Sequence, residues 1–460
     1  MAKKETNQNL MFDASTEAKP LFKERALWCM VLGLFFFAVY GSTNNISFLT
    51  APHPYFFWEW ERSLPFIPEL VLPYMSSDIL FVIAYLLAPT RGAIQKLGVR
   101  CGLAIVISAA FFILLPLQFS FERPEVVGWP KVLFDALSLD QPYNQFPSLH
   151  ISLGFICWHT IVGRVGILGK TLVSVWFLMI GASTVLVFQH HFIDVVGGVA
   201  TTVLIWWLVP NKGAARIPIN FVTPRHLHMA FRYLVVATIL VILCFNLGIW
   251  SLPLAWGAMS LLLVSGSYVL GLNGFLNKRS GRYPLLIWLL FGPYLIGSLL
   301  NWKYWRSKVP LMAEVEPGLW LGGRPASEDW RVILPKGVDA VIDLVPELSG
   351  TTPNELSHYH HPLLDIAIPS PAVLHDIASQ IEECRQKGKV YVHCALGMSR
   401  SVLAVGAWMI LNGCTKKEAL ARIDQVRPER VQRPYIDISL NLYEDYCRSN
   451  GAIPEKGALR

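Results

Sequence analysis

A cysteine and an arginine with five residues between them, Cys394 and Arg400 in VYVHCALGMSRS, have the spacing of a loop that grips a phosphate and attacks it. The loop Ala395, Leu396, Gly397, Met398 and Ser399 lies between an apolar stretch that reads as a strand ending at His393 and one that reads as a helix. Successive backbone N–H groups in such a loop form an anion nest, and the helix N-terminus adds positive potential. Gly397 permits a backbone conformation that other residues resist. Arg400 can hold two phosphate oxygens at once, and the same field favours the Cys394 thiolate. Cys394 is then a nucleophile that forms a phosphocysteine, with Ser401 placed to stabilise the thiolate when water releases the phosphate. A leaving alcohol needs a proton donor. Asp365, 29 residues upstream on an expected loop, is the candidate acid; Asp376 is the rival, but it falls inside a helical pattern.

A second constellation joins YNQFPSLHIS to QHHFIDVVGG. His150 opens one apolar run, and His190 opens another with Asp194 four residues later. On a helix His190 and Asp194 share a face, so the carboxylate can fix the imidazole tautomer and raise its nucleophilicity. His191 is three residues from Asp194 and ranks below His190. Ionisable side chains at membrane depth are costly, so their clustering points to function.

These sites sit in two different settings. The chain is 53% hydrophobic and 15% charged, against about 25% charged in ordinary soluble domains. The apolar excess forms nine runs before residue 305: Ala26–Thr50, Leu70–Leu87, Gly102–Phe121, Ile151–Val162, Leu172–Phe188, Phe192–Val209, Met229–Ile249, Leu254–Leu272 and Leu285–Trp302. Most have the length that crosses a bilayer. The polar N-terminus has no signal-peptide pattern. Up to Lys308 there are 23 Lys/Arg and 13 Asp/Glu, a net +10; from Val309 onward there are 16 and 19, a net −3. The N-terminal tail and the loops near Arg91–Arg100, Arg164–Lys170, Lys212–Arg232 and Lys278–Arg282 hold 17 Lys/Arg, and the alternate loops only Arg62, Arg123 and Lys131. That asymmetry places the N-terminus in the cytoplasm, and with no basic stripe interleaved with aromatics nucleic acid is not expected as a partner. It also puts both histidine motifs on the outer face. The cysteines form no C-x-x-C pair, so no metal ribbon or disulfide framework is expected, and neither metal nor cofactor is called for.

After the basic junction 303–308 the period changes. GVDAVIDLV and KVYVHC read as strands; PAVLHDIASQIEECRQKG, SRSVLAVGAWMILNG and TKKEALARIDQV read as helices. The expected organisation is a polar tail (1–25), a six-run membrane block (26–209), further membrane helices (210–302), the junction, and one α/β domain (309–460). The fold class is thus a multi-pass α-helical membrane domain of eight or nine apolar segments followed by a soluble α/β domain.

The H-C-x-x-G-x-x-R-S stretch resembles the dual-specificity branch of the cysteine phosphatases over roughly Val309–Ser449, where GLWLGGRPAS and VRPERVQRP also resemble that family. The resemblance implies phosphorylated proteins or phosphorylated lipids as substrates. The F-P-S-x-H and H-H-x-x-D motifs resemble the type 2 phosphatidic acid phosphatase superfamily, closest to its inositol-phosphorylceramide synthase branch. That resemblance implies His190 as nucleophile through a phosphohistidine, Asp194 as its orienter, His150 as the acid and Ser148 as a phosphate contact. Arg123-Pro124 matches the family's Arg-Pro, which implies Arg123 as a further phosphate contact, but Pro116 stands where its lysine would be and Ser183-Thr184 where its Ser-Arg would be. Loss of two cations suits a singly charged diester more than a monoester, and so favours headgroup cleavage or transfer. Together the two halves suggest a bifunctional lipid-phosphate enzyme of a plasma membrane, the bacterial inner membrane in particular, with membrane lipids as partners. The alternative is a membrane-tethered protein phosphatase whose membrane half is an anchor or lipid sensor. Nine crossings would place the thiol domain outside; a final run that dips in and returns at Gly292-Pro293 would leave it in the cytoplasm.

Overall fold

The computed structural model describes residues 19–137, 141–210, 220–244 and 252–452. Most of the polar tail, part of the Lys212–Arg232 loop and the end of the seventh apolar run lie outside the described residues. The chain divides into two compact units, one spanning Phe12–Pro218 and the other containing Ile219–Arg460. The sequence reading divides the chain at 308/309, where composition changes; the units divide where packing changes.

The first unit is helical: α1 (Phe22–Thr50), α2 (Val71–Leu87), α3 (Arg91–Leu114), α4 (Pro130–Leu137), α5 (Leu149–Val162), α6 (Ile167–Leu186) and α7 (Phe192–Leu208). Each apolar run of the sequence nucleates one helix; the short α4 was not anticipated. The third run was expected to reach Phe121, but α3 stops at Leu114, because Pro116 disfavours helical backbone at the residue before it. Two polar pairings tie the helices together. Arg91 grips Glu24 in a forked pair (2.9 and 2.5 Å), and buried Arg100 donates twice to the Val209 carbonyl (3.0 and 2.7 Å).

In the second unit α8 (Pro224–Cys244) and α9 (Leu252–Val269) pack side by side, with the Ser265 hydroxyl donating to the Ala230 carbonyl at 2.9 Å. The next helix, α10 (Leu285–Arg306), crosses α9 where Gly292 leaves room for the Trp256 ring. Among the described residues of the whole chain, seven helices are long and apolar enough to cross a membrane: those of α1, α2, α3, α6, α8, α9 and α10. Helices α5 and α7 are shorter apolar ones.

The α/β domain follows: β1 (Met312–Glu316), β2 (Leu319–Gly323), α11 (Trp330–Ile333), β3 (Val338–Asp343), β4 (Ser357–His360), α12 (Pro371–Lys387), β5 (Lys389–Cys394), α13 (Arg400–Leu411), α14 (Lys416–Val426) and α15 (Pro434–Ser449). The sheet order is β1-β2-β5-β3-β4. β1 is antiparallel to β2 and the remaining pairings are parallel, so the sheet is mixed. Ser370 caps α12 by accepting from the Val373 N–H at 3.3 Å, with Pro371 at the first helical position. A Thr415–Glu418 capping box starts α14. Helix α13 is buried from Arg400 to Ile410 against the sheet, and each large apolar side chain so buried contributes about 1.5–3 kcal/mol. β5 lies in the middle of the sheet between β2 and β3, so its C-terminal end, at Cys394, falls where open α/β sheets bind ligands.

Candidate functional site

The thiol loop is built by turning its carbonyls outward. The Ala395 carbonyl accepts from the Arg324 N–H (3.1 Å), and the Met398 carbonyl from the Val431 N–H (2.8 Å). Arg427, fully buried, donates to the carbonyls of Gly397 (3.1 Å) and Leu396 (2.7 Å) and to Pro310 (2.6 Å). With the carbonyls occupied, amides face inward, and the Gly397 N–H reaches Cys394 Sγ at 3.2 Å. Gly397 has φ +71°, and a Cβ there would sit 2.5 Å from the Gly322 backbone. This is the loop's one position that demands glycine.

Cys394 is 2% exposed. Burial pushes its thiol up, but the Arg400 guanidinium, the Ser401 hydroxyl (Sγ···Oγ 3.4 Å) and the Ser401 and Ser399 amides outweigh it and leave the thiol below its ordinary value. Arg400, also 2% exposed, forks onto Glu347 (2.9 and 2.5 Å) and donates to the Leu363 carbonyl at 3.2 Å. Those three bonds use three of its five N–H donors. The remaining two, on Nε and Nη2, suit two phosphate oxygens. Asp365 Oδ1 lies 3.2 Å from Arg400 Nε without hydrogen-bond alignment. The Asp365 carboxyl, 40% exposed at the mouth, is held above the usual carboxylate range, first by lost hydration and further by the Glu347 charge, with Arg400 opposing. Asp376 is exposed on α12. Ile366, next to the acid, adopts φ +54°, a conformation that costs a β-branched residue about 1–3 kcal/mol.

Behind the loop, buried Asp343 gathers His358 (3.5 Å), His360 (3.4 Å), His393 (3.9 Å) and Lys278 (2.8 Å). Burial opposes its charge, yet these partners hold its carboxyl well below the ordinary range. His393 is pushed down to about 4, chiefly by burial, and is neutral at neutral pH.

In the first unit, α7 begins at Phe192 because Asp194 Oδ2 accepts the His191 N–H at 2.9 Å. The same oxygen lies 3.4 Å from His190 Nδ1. Gly198 faces Ser148 and Ile151 so closely that a Cβ would come within 2.7 Å of each. That close approach brings α5 against α7 and leaves the His150 and His190 rings 6.0 Å apart. The Ser148 N–H donates to the Asp194 carbonyl (3.0 Å), and its hydroxyl is buried with no partner among the described residues. Tyr74 stacks on His150 at 4.2 Å with its hydroxyl 3.3 Å from Nδ1. His191 is otherwise engaged: Nδ1 lies 3.4 Å from Glu61, Nε2 meets Ser120, and the ring stacks on Phe57 and Phe119. Arg123, expected near phosphate, donates to the Phe188 carbonyl at 3.1 Å, two residues before His190.

Thus Cys394, the 395–399 loop, Arg400, Ser401 and Asp365 converge, and so do Ser148, His150, His190 and Asp194. Sequence reasoning missed Glu347, Arg427, Lys278 and Tyr74. Only Arg427 carried a signal, as the first arginine of VRPERVQRP.

Residues 319–445 match the family model described as dual specificity phosphatase, catalytic domain. The chain is similar to Dual specificity protein phosphatase 12 of Rattus norvegicus, 30% identical over 143 residues, covering 28% of this chain and 40% of the relative. It is similar to Dual specificity protein phosphatase 14 of Mus musculus, 25% identical over 134 residues, covering 29% of this chain and 65% of the relative. The solved structure of Tk-PTP in the active form is 26% identical, with a TM-score of 0.28, covering 30% of this chain and 97% of that one. The chain spans less than two thirds of the length of these curated relatives. Its C-terminal part carries a dual-specificity phosphatase-type catalytic domain, a class that hydrolyses phosphate esters.

Proposed function

We propose that this chain is a membrane-embedded phosphatase of phosphorylated lipids, with a second, histidine-based centre that cleaves or transfers a phosphate-linked headgroup. At the thiol site, the Cys394 thiolate attacks phosphorus while Arg400 and the loop amides hold the equatorial oxygens. The P–O bond to the leaving group breaks, and Asp365 gives that oxygen its proton. Water then attacks the phosphocysteine, Asp365 takes the water's proton, and the sulfur leaves as a thiolate beside Ser401. No step calls for a metal or cofactor.

The observation that most favours a lipid is the setting of the proton donor. Leu364 and Ala367, on either side of Asp365, are buried in an apolar cluster with Met229, Tyr268, Phe291 and Leu295 of α8–α10. A phosphate leaving this site departs beside helices fit for a bilayer. The exposed leucines of α10 (Leu285, Leu286, Leu289, Leu300) and the Tyr304, Trp305 and Lys308 that follow have the pattern of a helix embedded from one face. Gly281 before α10 bonds to Gly350, Arg324 contacts both Ser349 and the Trp302 ring, and Arg306 pairs with Asp329. Both ends of α10 thus lie against one edge of the domain, and the helix runs unbroken through Gly292-Pro293, so the return expected there from the sequence does not form; this supports a helix lying along one membrane face over a crossing and, with it, a reduced cytoplasmic thiol.

In the membrane unit His190 would attack phosphorus, Asp194 would hold its imidazole, His150 would protonate the leaving group and Ser148 would contact phosphate. A plasma-membrane location, with the bacterial inner membrane as the proposed case, follows from the same reading. The protein-phosphatase alternative draws on the uncharged interior of the thiol loop and on relatives named as protein phosphatases. Phosphate release by the full-length protein in lipid nanodiscs, from phosphorylated lipids against phosphotyrosine peptides, separates the two. The lipid reading fails if only the peptides are turned over in a Cys394-dependent way.

A further inference from the structure

We propose that the proton donor of the thiol site is set by the helical block that precedes the α/β domain, with Arg225, Tyr268 and Asn273 as positioning residues. The inference rests on the reading of Asp365 as general acid.

Three successive residues of the acid loop each meet a side chain from outside the α/β domain. The Leu364 N–H donates to Asn273 Oδ1 at 3.1 Å. The Asp365 carbonyl accepts from the Tyr268 hydroxyl at 2.9 Å. The Ile366 carbonyl accepts from Arg225 Nε at 3.1 Å. Asn273 and Tyr268 come from the end of α9 and the turn after it, and Arg225 from the first turn of α8. Simple docking would need only the apolar burial of Leu364 and Ala367. Here a donor or acceptor is also matched to one main-chain group of each of three successive residues, and the run includes the positive-φ Ile366, whose conformation a free loop would relax. Arg225 also lies 5.2 Å over the Tyr435 ring, which fixes the guanidinium between α8 and the start of α15.

The same block holds the loop on the other side of Cys394. The Lys278 ammonium donates to Asp343 (2.8 Å), to the Leu348 carbonyl (3.1 Å) and to the Val345 carbonyl. The Tyr283 hydroxyl donates to the Pro346 carbonyl at 2.6 Å. The Gly350 N–H donates to the Gly281 carbonyl at 2.9 Å, and Gly281, with φ +75°, admits no Cβ there without overlapping Gly350. Between these anchors lies Glu347, the carboxylate that orients Arg400. Both loops that complete the phosphate site are therefore tied to α8–α10, and the catalytic geometry belongs to the whole second unit.

The test uses the full-length protein in lipid nanodiscs with Tyr268→Phe, Asn273→Ala, Arg225→Gln and the triple variant. Amide hydrogen exchange over residues 363–368 is read beside kcat for an alkyl phosphate and for p-nitrophenyl phosphate. Each of the two neutral hydrogen bonds is worth about two- to tenfold in an equilibrium, and the charged one from Arg225 more. The triple variant is therefore expected to exchange at least about tenfold faster at these amides. Its alkyl-phosphate kcat should fall by about tenfold or more, while aryl turnover stays within about threefold because that leaving group needs little protonation. Unchanged exchange, or equal losses on both substrates, overturns the proposal. Phosphate release that survives Cys394→Ser would count against the phosphatase reading instead, and the exchange result stands apart from it.

Discussion

Replacing Asp365 by Asn removes one proton and little else. The amide has the shape of the carboxyl and keeps an oxygen toward Arg400 Nε, now 3.2 Å away. The main-chain bonds to Tyr268 and Arg225 are untouched. Phosphate binding should hold or tighten, since a charge that competes for the guanidinium is gone. The loss therefore falls on kcat. A positioned general acid supplies 10²–10⁴-fold, or about 2.7–5.4 kcal/mol at roughly 1.36 kcal/mol per decade. Alkyl phosphates should lose that whole amount. An aryl phosphate whose leaving group departs as a phenolate should lose less than about tenfold. The assay is steady-state phosphate release by the full-length protein on a matched alkyl and aryl pair. Equal losses on both would refute Asp365 as the acid.

The pH dependence follows from two opposed shifts. Cys394 must be ionised, so kcat/KM rises with pH through a thiol pKa below the ordinary 9.0. Asp365 must be protonated, so kcat/KM for alkyl phosphates falls with pH through a carboxyl pKa above the ordinary 3.8. The profile should be bell-shaped, and Asp365→Asn should remove the alkaline limb; a limb that persists assigns it elsewhere. Glu347→Ala strands the buried Arg400 charge and should cost about 3–5 kcal/mol of stability, seen as a lowered thermal midpoint; an unchanged midpoint would deny that the pair is desolvated. Gly397→Ala puts a Cβ 2.5 Å from the Gly322 backbone and should reduce turnover by about 10²-fold or more, the scale on which removing one oxyanion donor acts; retained turnover would show that the loop can shift. His190→Ala, His150→Ala and Asp194→Asn should each remove a lipid-headgroup reaction that Cys394→Ser leaves intact, read by mass spectrometry of lipid extracts; loss of that reaction in Cys394→Ser would contradict two separate centres.

Local chemistry was legible and long-range chemistry was not. The thiol loop could be read because Cys394, Gly397, Arg400 and Ser401 form one contiguous turn between a strand and a helix. His190 and Asp194 could be read because four residues is one helical turn. Glu347 pairs with Arg400 across 53 residues, and Arg427 reaches Gly397 across 30; no spacing rule links either pair. Lys278 was counted among charges that orient loops at a membrane surface, yet its ammonium is buried against Asp343, because hydropathy registers a lysine without registering its partner. The short polar strand β4, Ser357–His360, has neither apolar alternation nor β-branched residues and gave no strand signal. The apolar helices before residue 307 were legible because their length and composition are local properties. Which of them belong to the phosphatase unit was not, because that depends on what packs against Leu364 and Trp302.

Turnover at the thiol site depends on a covalent phosphocysteine at Cys394. Rapid-quench peptide mass spectrometry of the full-length protein, mixed with an aryl phosphate for less than one turnover, tests it most directly. A phosphate adduct is expected on the peptide containing Cys394, decaying as free phosphate appears and absent from Cys394→Ser. Phosphate release at the full rate with no adduct at that peptide, or with the adduct on another residue, would contradict it.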